Sequence, residues 1–395
     1  MNRPIRILEL RSVRGTGGGP EKTILQGAAR SDPQRFAVTV CYVRDARDGL
    51  FEIGARAHEM GIDYVEVRER HSLDPAIWPA LLRLVRERRI DIVHAHEYKT
   101  DLLALALART TGAIPLSTVH GWIRDTWKER HLYVPLDLRL LRQFPRVIAV
   151  CGEIRDILSA AGVSADRITT LLNGIDPDQF RRDPRTVVPA RLELGLAPEE
   201  MAIGAVGRLE PVKRFDVLLD AFAALRRQYN GVRLFIVGEG TMRAPLEAQA
   251  ARLGIDRAVR FLGHRLDVAR LHHAFDVCVQ SSDHEGTPNA VLEAMALETP
   301  VVATGAGGTR DLLGDNAHGL VVPRGDPEAL ARALSSALVD RAATTARVAS
   351  ARARVERDLS FDRRTRRLEA IYEDLVAHAR RGDRHDAAAP HATAV

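Results

Sequence analysis

Two tandem α/β domains, each a doubly wound parallel sheet, are what this 395-residue sequence predicts. Three observations lead there. Short runs rich in β-branched residues recur along the chain, separated by segments whose apolar residues repeat at helical spacing, and that alternation builds parallel sheets. It stops once, around Asn173 to Pro198, in a stretch rich in proline, aspartate and arginine that reads as an interdomain linker. It then restarts, and the length is ample for two domains with separate cores.

In the first domain the strands are IRILEL, FAVTVCYV, YVEV, IDIVHAH, PLSTVHG, RVIAV and ITTLLNGI. Between them, PAIWPALLRLVRERR and TDLLALALART carry apolar residues at helical spacing. In the second domain the strands are MAIGAVGRL, VRLFIVGEG, VRFLGH, DVCVQSS, PVVATG and GLVVPRG, with FDVLLDAFAALRRQY among the helices. After Asp326 the chain reads as helical through PEALARALSSALV and RRTRRLEAIYEDLVAHARR. The expected boundaries are 1–185 for the first domain, 186–360 for the second, a C-terminal helix over 361–380 and a disordered tail over 381–395.

Composition narrows the function. At 46% hydrophobic and 28% charged this is a globular, water-soluble chain, and 57 Lys plus Arg against 52 acidic residues leave a formal charge of +5. That mild excess suits anionic small ligands or a membrane surface and argues against a dedicated nucleic-acid binder. Cys41, Cys151 and Cys278 are far apart in sequence, without metal-ligand spacing, and read as small buried hydrophobes in a reducing compartment. The N-terminus MNRPIRILEL lacks a signal-peptide core, and no apolar run approaches the roughly 18 residues of a membrane span. The expectation is a cytoplasmic protein. One stretch, Gly121 to Arg146, interleaves Trp122, Trp127 and Tyr133 with Arg124, Lys128, Arg130, Arg139 and Arg142. It suits either an anionic membrane surface or an amphipathic helix packed on the sheet.

Glycine loops and charges mark the chemistry. Gly17, Gly18 and Gly19 follow the first strand and precede a helix beginning near Glu21, where a backbone can approach a phosphate or sugar. Pro20 stands where a dinucleotide fingerprint needs glycine, and the second strand ends in Val43-Arg44 without an acidic ribose partner, so a dehydrogenase is disfavoured. Arg208 and Lys213 straddle the loop after the second domain's first strand, so a diphosphate there would meet two cations and a helix N-terminus together. VGEGT, at Val237 to Thr241, and EGTPN each stand at the C-terminal end of a further strand, the end where open α/β sheets bind ligands.

Glu285 and Glu293, in EGTPNAVLE, stand eight positions apart. On one helix they would be about 12 Å apart along the axis, too far to flank one bond as an acid and base pair. Gly286 and Pro288 instead put Glu285 on a loop, start the helix near Pro288 or Asn289, and leave Glu293 in its early turns. Other polar residues carry less. Asp176-Pro-Asp178 follows Asn173-Gly174 and reads as turn chemistry. His94 and His96 alternate at a strand end with no third metal ligand in view, and His264 and His284 read as loop residues.

GRLEPVKRFDVLL, IVGEG, SSDHEGTPNAVLEAMALETPVVAT and GAGGTRDLL resemble the nucleotide-sugar domain of family four of the glycosyltransferases. The glycine-rich loop, TVHG, IAVCGEIRDIL and LLNGID are similar to the same group's N-terminal half, so the resemblance covers almost the whole chain. It implies a GT-B fold, two Rossmann-like domains facing across a cleft, with the last helices returning to the first domain. It implies a retaining transfer of sugar from a nucleotide-diphosphate sugar to an acceptor hydroxyl, with no cofactor and no metal. Arg208 and Lys213 would neutralise the donor diphosphate, Glu293 would accept from the ribose hydroxyls, and Glu285 would hold the sugar with help from backbone amides near Gly286, Thr287, Pro288 and Asn289. Gly17, Gly18, Gly19 and Gly238 would line the substrate, and His120 in TVHG would stand beside the sugar. Cys151, where the group often has serine, and Asp311, where glutamate is common, depart from the pattern without touching these grips. The implied partners are the nucleotide sugar, a saccharide or lipid-linked acceptor of bacterial surface polysaccharide or glycolipid assembly, and a peripheral contact with the inner membrane. A non-catalytic nucleotide-sugar binder and a sugar-nucleotide epimerase are the alternatives.

Overall fold

The computed structural model describes residues 3–387 except 14, 16, 73 and 123–126. The chain divides into two compact units, Met1–Leu172 with Phe361–Val395, and Asn173–Ser360.

The first unit runs β1 (Ile5–Ser12), α1 (Gly19–Arg30), β2 (Phe36–Asp45), α2 (Ile53–Glu59), β3 (Asp63–Glu69), α3 (Ile77–Glu87), β4 (Ile92–Ala95), α4 (Tyr98–Thr111), β5 (Ile114–Val119), α5 (Val134–Leu141), β6 (Arg146–Ala149), α6 (Gly152–Ala160) and β7 (Ile168–Thr170). Its sheet is ordered β3-β2-β1-β4-β5-β6-β7 with every ladder parallel. Strand order reverses between β1 and β4, which is where a doubly wound sheet opens a crevice at its C-terminal ends. Side chains alternate between the faces with period two. Leu8 and Leu10 of β1 therefore join Val43, Leu81, Val93 and Leu105 on one face, whereas Ile7 joins Ile92, Leu116 and Ile148 on the other.

The second unit runs α7 (Pro184–Glu193), β8 (Met201–Val206), α8 (Phe215–Arg226), β9 (Val232–Val237), α9 (Arg243–Arg252), β10 (Val259–Gly263), α10 (Val268–His272), β11 (Val277–Gln280), α11 (Asn289–Ala296), β12 (Val301–Thr304), α12 (Thr309–Leu313), β13 (Leu320–Val322), α13 (Pro327–Val339) and α14 (Arg341–Asp358). The parallel sheet is ordered β10-β9-β8-β11-β12-β13, so its switch point lies between β8 and β11. One face buries Ile203, Leu234 and Val302 under α8 and α13, and the other buries Ala202, Phe235 and Phe275 against Ala190 of α7 and Leu194 just after it. Every run read as a strand forms one.

The last helix, α15 (Phe361–Ala387), belongs to the first unit. Its Leu368, Tyr372, Leu375 and Val376 cover the sheet face that carries Ile7, Ile92, Leu116 and Ile148.

Three expectations need correction. The boundary expected at 185/186 falls at Leu172/Asn173, because the following residues are bonded into the second unit. The Asn173 N–H donates to Thr287 Oγ1 at 3.1 Å, the Ile175 N–H donates to the Leu359 carbonyl at 2.9 Å, and Arg352 holds the carbonyls of Pro177 and Phe180. The linker expected over 173–198 contains α7, which starts on Asp183 as N-cap with Pro184 at a first-turn position and buries Ala190. The tail expected to be disordered over 381–395 is helical to Ala387, and its remaining residues lie outside the described ones.

Candidate functional site

Loops at the switch point of the second sheet bring most of the expected residues together. The loop after β8 folds a short 3-10 turn, Pro211–Lys213, and closes on Arg214 in the left-handed region. It is laced to the loop after β11: the Asp283 N–H donates to the Val212 carbonyl at 2.9 Å and Ser281 Oγ to the Lys213 carbonyl at 2.8 Å. Arg214 binds Asp283 at 2.8 Å and Asp216 at 3.1 Å. So Arg214 is a fastener of the loop, and Lys213 is left to face Glu285.

Lys213 Nζ donates to Glu285 Oε1 at 2.6 Å. The same oxygen accepts from Gln280 Nε2 at 2.8 Å and Ser282 Oγ at 2.7 Å, and Thr309 Oγ1 in turn donates to Gln280 Oε1 at 3.1 Å. This carboxylate is fixed in place by donors from β11, its following loop and the turn after β8. Arg208 differs. It is exposed, with no ion pair among the described residues, so its charge is open to an anion.

Glycines let the loop backbones converge. A Cβ on Gly238, whose φ is +142°, would lie 1.9 Å from the Gly207 carbonyl oxygen. One on Gly307 would lie 1.9 Å from the Glu285 carbonyl oxygen, and the Gly308 N–H donates to the Gly286 carbonyl at 2.8 Å. No other residue type fits those contacts. Pro288 caps α11, Asn289 opens it, and Glu293 sits in its second turn, as the glycine and proline pattern predicted. Thr287 is buried with its hydroxyl accepting from Asn173, so it braces the loop.

The remaining expected residues belong to the first unit. Gly17 to Gly19 lead into α1, and Glu21 pins them: its Oε2 accepts from the Gly18 N–H at 2.5 Å while its Oε1 binds Arg11. Burial pushes the Glu21 carboxyl up, but the Arg11 charge and the backbone N–H groups outweigh that and lower it. His120 follows β5 and stacks on His96 with ring centroids 5.3 Å apart. His96 Nδ1 lies 3.1 Å from His120 Nε2, and His96 Nε2 lies 2.5 Å from Glu9 Oε2. His94 and Tyr372 approach Glu9 Oε1 at 3.2 and 2.6 Å.

Glu9, Tyr372, Glu21 and Gln280 were not anticipated. Glu9 carried a usable signal, a carboxylate in the middle of the apolar strand IRILEL; Tyr372 is separated from it by 363 positions and carried none. Burial raises the Glu9 carboxyl, but the imidazoles of His94 and His96 outweigh it and hold it well below the usual range. Burial, then the neighbouring His94, drives His96 down to about 4. His120 is likewise pushed well below its ordinary value by burial, then by His96, Arg11 and Arg364. Donor atoms of Glu9, His94 and His96 lie within 4.8 Å of one another, but all are engaged, His94 also by Tyr372 Oη at 2.9 Å and Thr118 Oγ1 at 2.7 Å, which makes this a hydrogen-bonded cluster. Asp176 serves a turn, its Oδ1 accepting from the Asp178 and Gln179 N–H groups. Cys41, Cys151 and Cys278 are buried, and none forms a disulfide among the described residues.

In the stretch from Gly121, Trp122 Nε1 donates to Asp137 at 2.7 Å and Tyr133 stacks on Tyr98, whereas Trp127, Leu132 and Leu136 are exposed. Arg124 lies outside the described residues. Among the described residues no helix is long and apolar enough to cross a membrane.

Two Rossmann-like units, the second with cations and a fixed carboxylate at its switch point, define a GT-B protein. Comparison with known proteins gives the family. The glycosyl transferases group 1 family matches residues 190–355 and glycosyltransferase family 4 matches residues 17–179. Glycogen synthase of Mycobacterium tuberculosis is 31% identical over 313 residues, 76% of this chain and 71% of that protein. The D-inositol 3-phosphate glycosyltransferase of Saccharomonospora viridis is 29% identical over 308 residues, 73% and 70% of the two chains. Among solved structures, HepE of Anabaena in complex with UDP superposes with a TM-score of 0.82 at 22% identity, over 94% of this chain and 100% of that one. The chain belongs to family four of the glycosyltransferases.

Proposed function

We propose that this glycosyltransferase moves a sugar, with retention, from a nucleotide-diphosphate sugar to the hydroxyl of a saccharide or lipid-linked acceptor, without a metal or resident cofactor. One observation carries the reading: at the switch point of the second sheet Lys213 is paired with a carboxylate, Glu285, whose Oε1 is held by three donors, and the loop that carries Lys213 also carries the exposed Arg208. Negative charge builds on the diphosphate as the bond from the sugar's anomeric carbon breaks, and two cations with a helix N-terminus stabilise it electrostatically. Glu285 Oε1 is already committed as an acceptor to Lys213, Gln280 and Ser282, which supports a role for this carboxylate in holding sugar hydroxyls rather than as a nucleophile. The acceptor oxygen then bonds to the anomeric carbon on the face the diphosphate leaves, and its proton passes to the departing phosphate oxygen. Glu293 takes the ribose hydroxyls, Gly17 to Gly19, Gly238 and residues 286–289 supply close backbone, and His120 keeps its role at the transferred sugar.

Bacterial surface polysaccharide or glycolipid assembly is the favoured setting. The lipopolysaccharide core mannosyltransferase LpsB of Rhizobium meliloti, 28% identical over 244 residues, supports it. Exposed Trp127, Leu132 and Leu136 beside Lys128, Arg130 and Arg139 support a peripheral contact with the cytoplasmic face of the inner membrane. Flotation with anionic vesicles checks that contact, and equal recovery with neutral lipid would refute it.

Thermal unfolding against UDP, GDP, ADP, dTDP and NAD, all with EDTA, tests the central reading. A nucleoside diphosphate at 100 times its Kd adds about 2.7 kcal/mol, a shift of several degrees. A shift with one of the four supports metal-independent donor binding and directs transfer assays to sugars on that base. A shift with NAD alone would overturn it.

A further inference from the structure

Period-two alternation places one polar cluster on a single sheet face. Ile7 and Glu9 share a side of β1, Ile92 and His94 a side of β4 with His96 just past its end, and Leu116 and Thr118 a side of β5 with His120 just past its end. The apolar member of each set packs under α15, and the polar members follow it toward the C-terminal ends of the strands. Tyr372 of α15 closes the cluster over Glu9.

The positions of the protons follow from one premise, that Glu9 is ionised. Its Oε2, 2.5 Å from His96 Nε2, can only accept, so His96 carries its proton on Nε2. The opposite tautomer would set a lone pair against a carboxylate oxygen. His96 Nδ1 is then bare and must accept from His120 Nε2–H at 3.1 Å. At the other oxygen, Tyr372 O–H donates at 2.6 Å, His94 Nδ1–H donates to Tyr372 Oη at 2.9 Å, and Thr118 Oγ1–H donates to His94 Nε2 at 2.7 Å. Each of these contacts then has one donor and one acceptor. What remains is His120 Nδ1, buried and without a partner among the described residues.

We infer that Glu9, acting through His96, sets the tautomer of His120 so that its bare Nδ1 accepts a hydrogen bond from a hydroxyl of the transferred sugar. Glu9 is on this account a positioning residue, since which ring nitrogen carries the proton is set by the bond the other makes. The low basicity of His96 and His120 keeps both rings neutral near pH 7, as the chain requires. A sugar hydroxyl satisfies the one acceptor the cluster leaves open, whereas a phosphate oxygen would face it lone pair to lone pair. The inference rests on the role given to His120 in the proposed reaction.

The test is nitrogen–proton correlation spectroscopy of the full chain labelled with 15N-histidine, with His96→Asn and His120→Asn assigning the signals. His96 and His120 should both be protonated on Nε2. Glu9→Gln can turn an amide N–H toward His96 and reverse both tautomers, and kcat for transfer should then fall about 10- to 100-fold while the donor KM stays within about twofold. A wild-type His96 protonated on Nδ1 overturns the proposal, as does a Glu9→Gln chain with reversed tautomers and undiminished kcat. The wild-type spectrum decides even if Glu9→Gln does not fold. A wild-type chain that transfers no sugar counts against the proposed reaction, while the spectrum still decides the tautomer.

Discussion

Lys213 Nζ lies 2.6 Å from Glu285 Oε1, so the cation expected for the diphosphate and the carboxylate expected for the sugar are partners of each other. The pair sits where two loops meet at one switch point, and the two changes that break it are not equivalent. Lys213→Ala leaves Glu285 with Gln280 and Ser282 as donors, and should cost under about 1 kcal/mol of stability. Glu285→Ala strips the acceptor from those two buried donors and the partner from Lys213, and should cost about 1–3 kcal/mol. Both should lower transfer at least about 100-fold, Lys213→Ala by losing an electrostatic contact to the developing anion and Glu285→Ala by misplacing the sugar. Urea unfolding and steady-state kinetics on the single and double variants check the asymmetry, and equal destabilisation would refute it.

Arg208 is the complementary case, an exposed cation with no ion pair among the described residues. Removing it costs the fold nothing that the structure shows. Arg208→Ala should keep the wild-type Tm while weakening nucleoside diphosphate binding about 10-fold, equivalent to one charge-assisted hydrogen bond. Calorimetric titration at two salt concentrations should also show a shallower salt dependence than the wild type. A lowered Tm with unchanged affinity would assign Arg208 to structure.

Much of this site was legible because loops announce themselves. Gly238, Gly307 and Pro288 are residue types a close approach or a helix start requires, so EGTPN and VGEGT could be placed at strand ends from sequence alone. Thirteen strand runs were readable because parallel strands buried on both faces are near-continuous in apolar residues. Two features were not. Helix α7 carries two prolines, Pro184 and Pro189, within a turn-rich stretch, and its burial of Ala190 against Phe235 and Phe275 is a tertiary effect. The Glu9 cluster depends on Tyr372, brought in by a helix from the far end of the chain, which no local pattern encodes.

Asp101 and Asp137 are both buried, and Asp137 accepts from Trp122 Nε1. Burial, then the Asp137 charge, raises the Asp101 carboxyl well above its usual range; burial likewise raises Asp137, so the pair keeps a proton that the unfolded chain releases. The folded state therefore binds more protons, and stability is lost as pH rises above the ordinary aspartate value toward the raised one. Asp101→Asn, which can donate to Asp137 without titrating, should flatten that loss. Unfolding free energies between pH 5 and 9 should fall less steeply for the variant than for the wild type; parallel curves would refute the shared proton.

His272 gives the opposite slope. It is fully buried at the end of α10, its ring edge-on to Phe275, and neither ring nitrogen has a partner among the described residues. Burial, then the nearby His273 and Arg182, pushes it down to about 3 from 6.5, so the fold holds it neutral while the unfolded chain takes a proton below its usual value. Its contribution to stability is present above pH 6.5 and is lost as pH falls toward 3. At about 1.4 kcal/mol per pKa unit the full loss is about 3–5 kcal/mol, several times what a surface histidine could produce. His272→Leu removes the titration and two unsatisfied nitrogens at similar volume, so it should be as stable as the wild type at pH 7.5 and clearly more stable at pH 5. Urea unfolding at the two pH values decides it: a variant that loses stability on acidification as steeply as the wild type would show that acid sensitivity arises elsewhere.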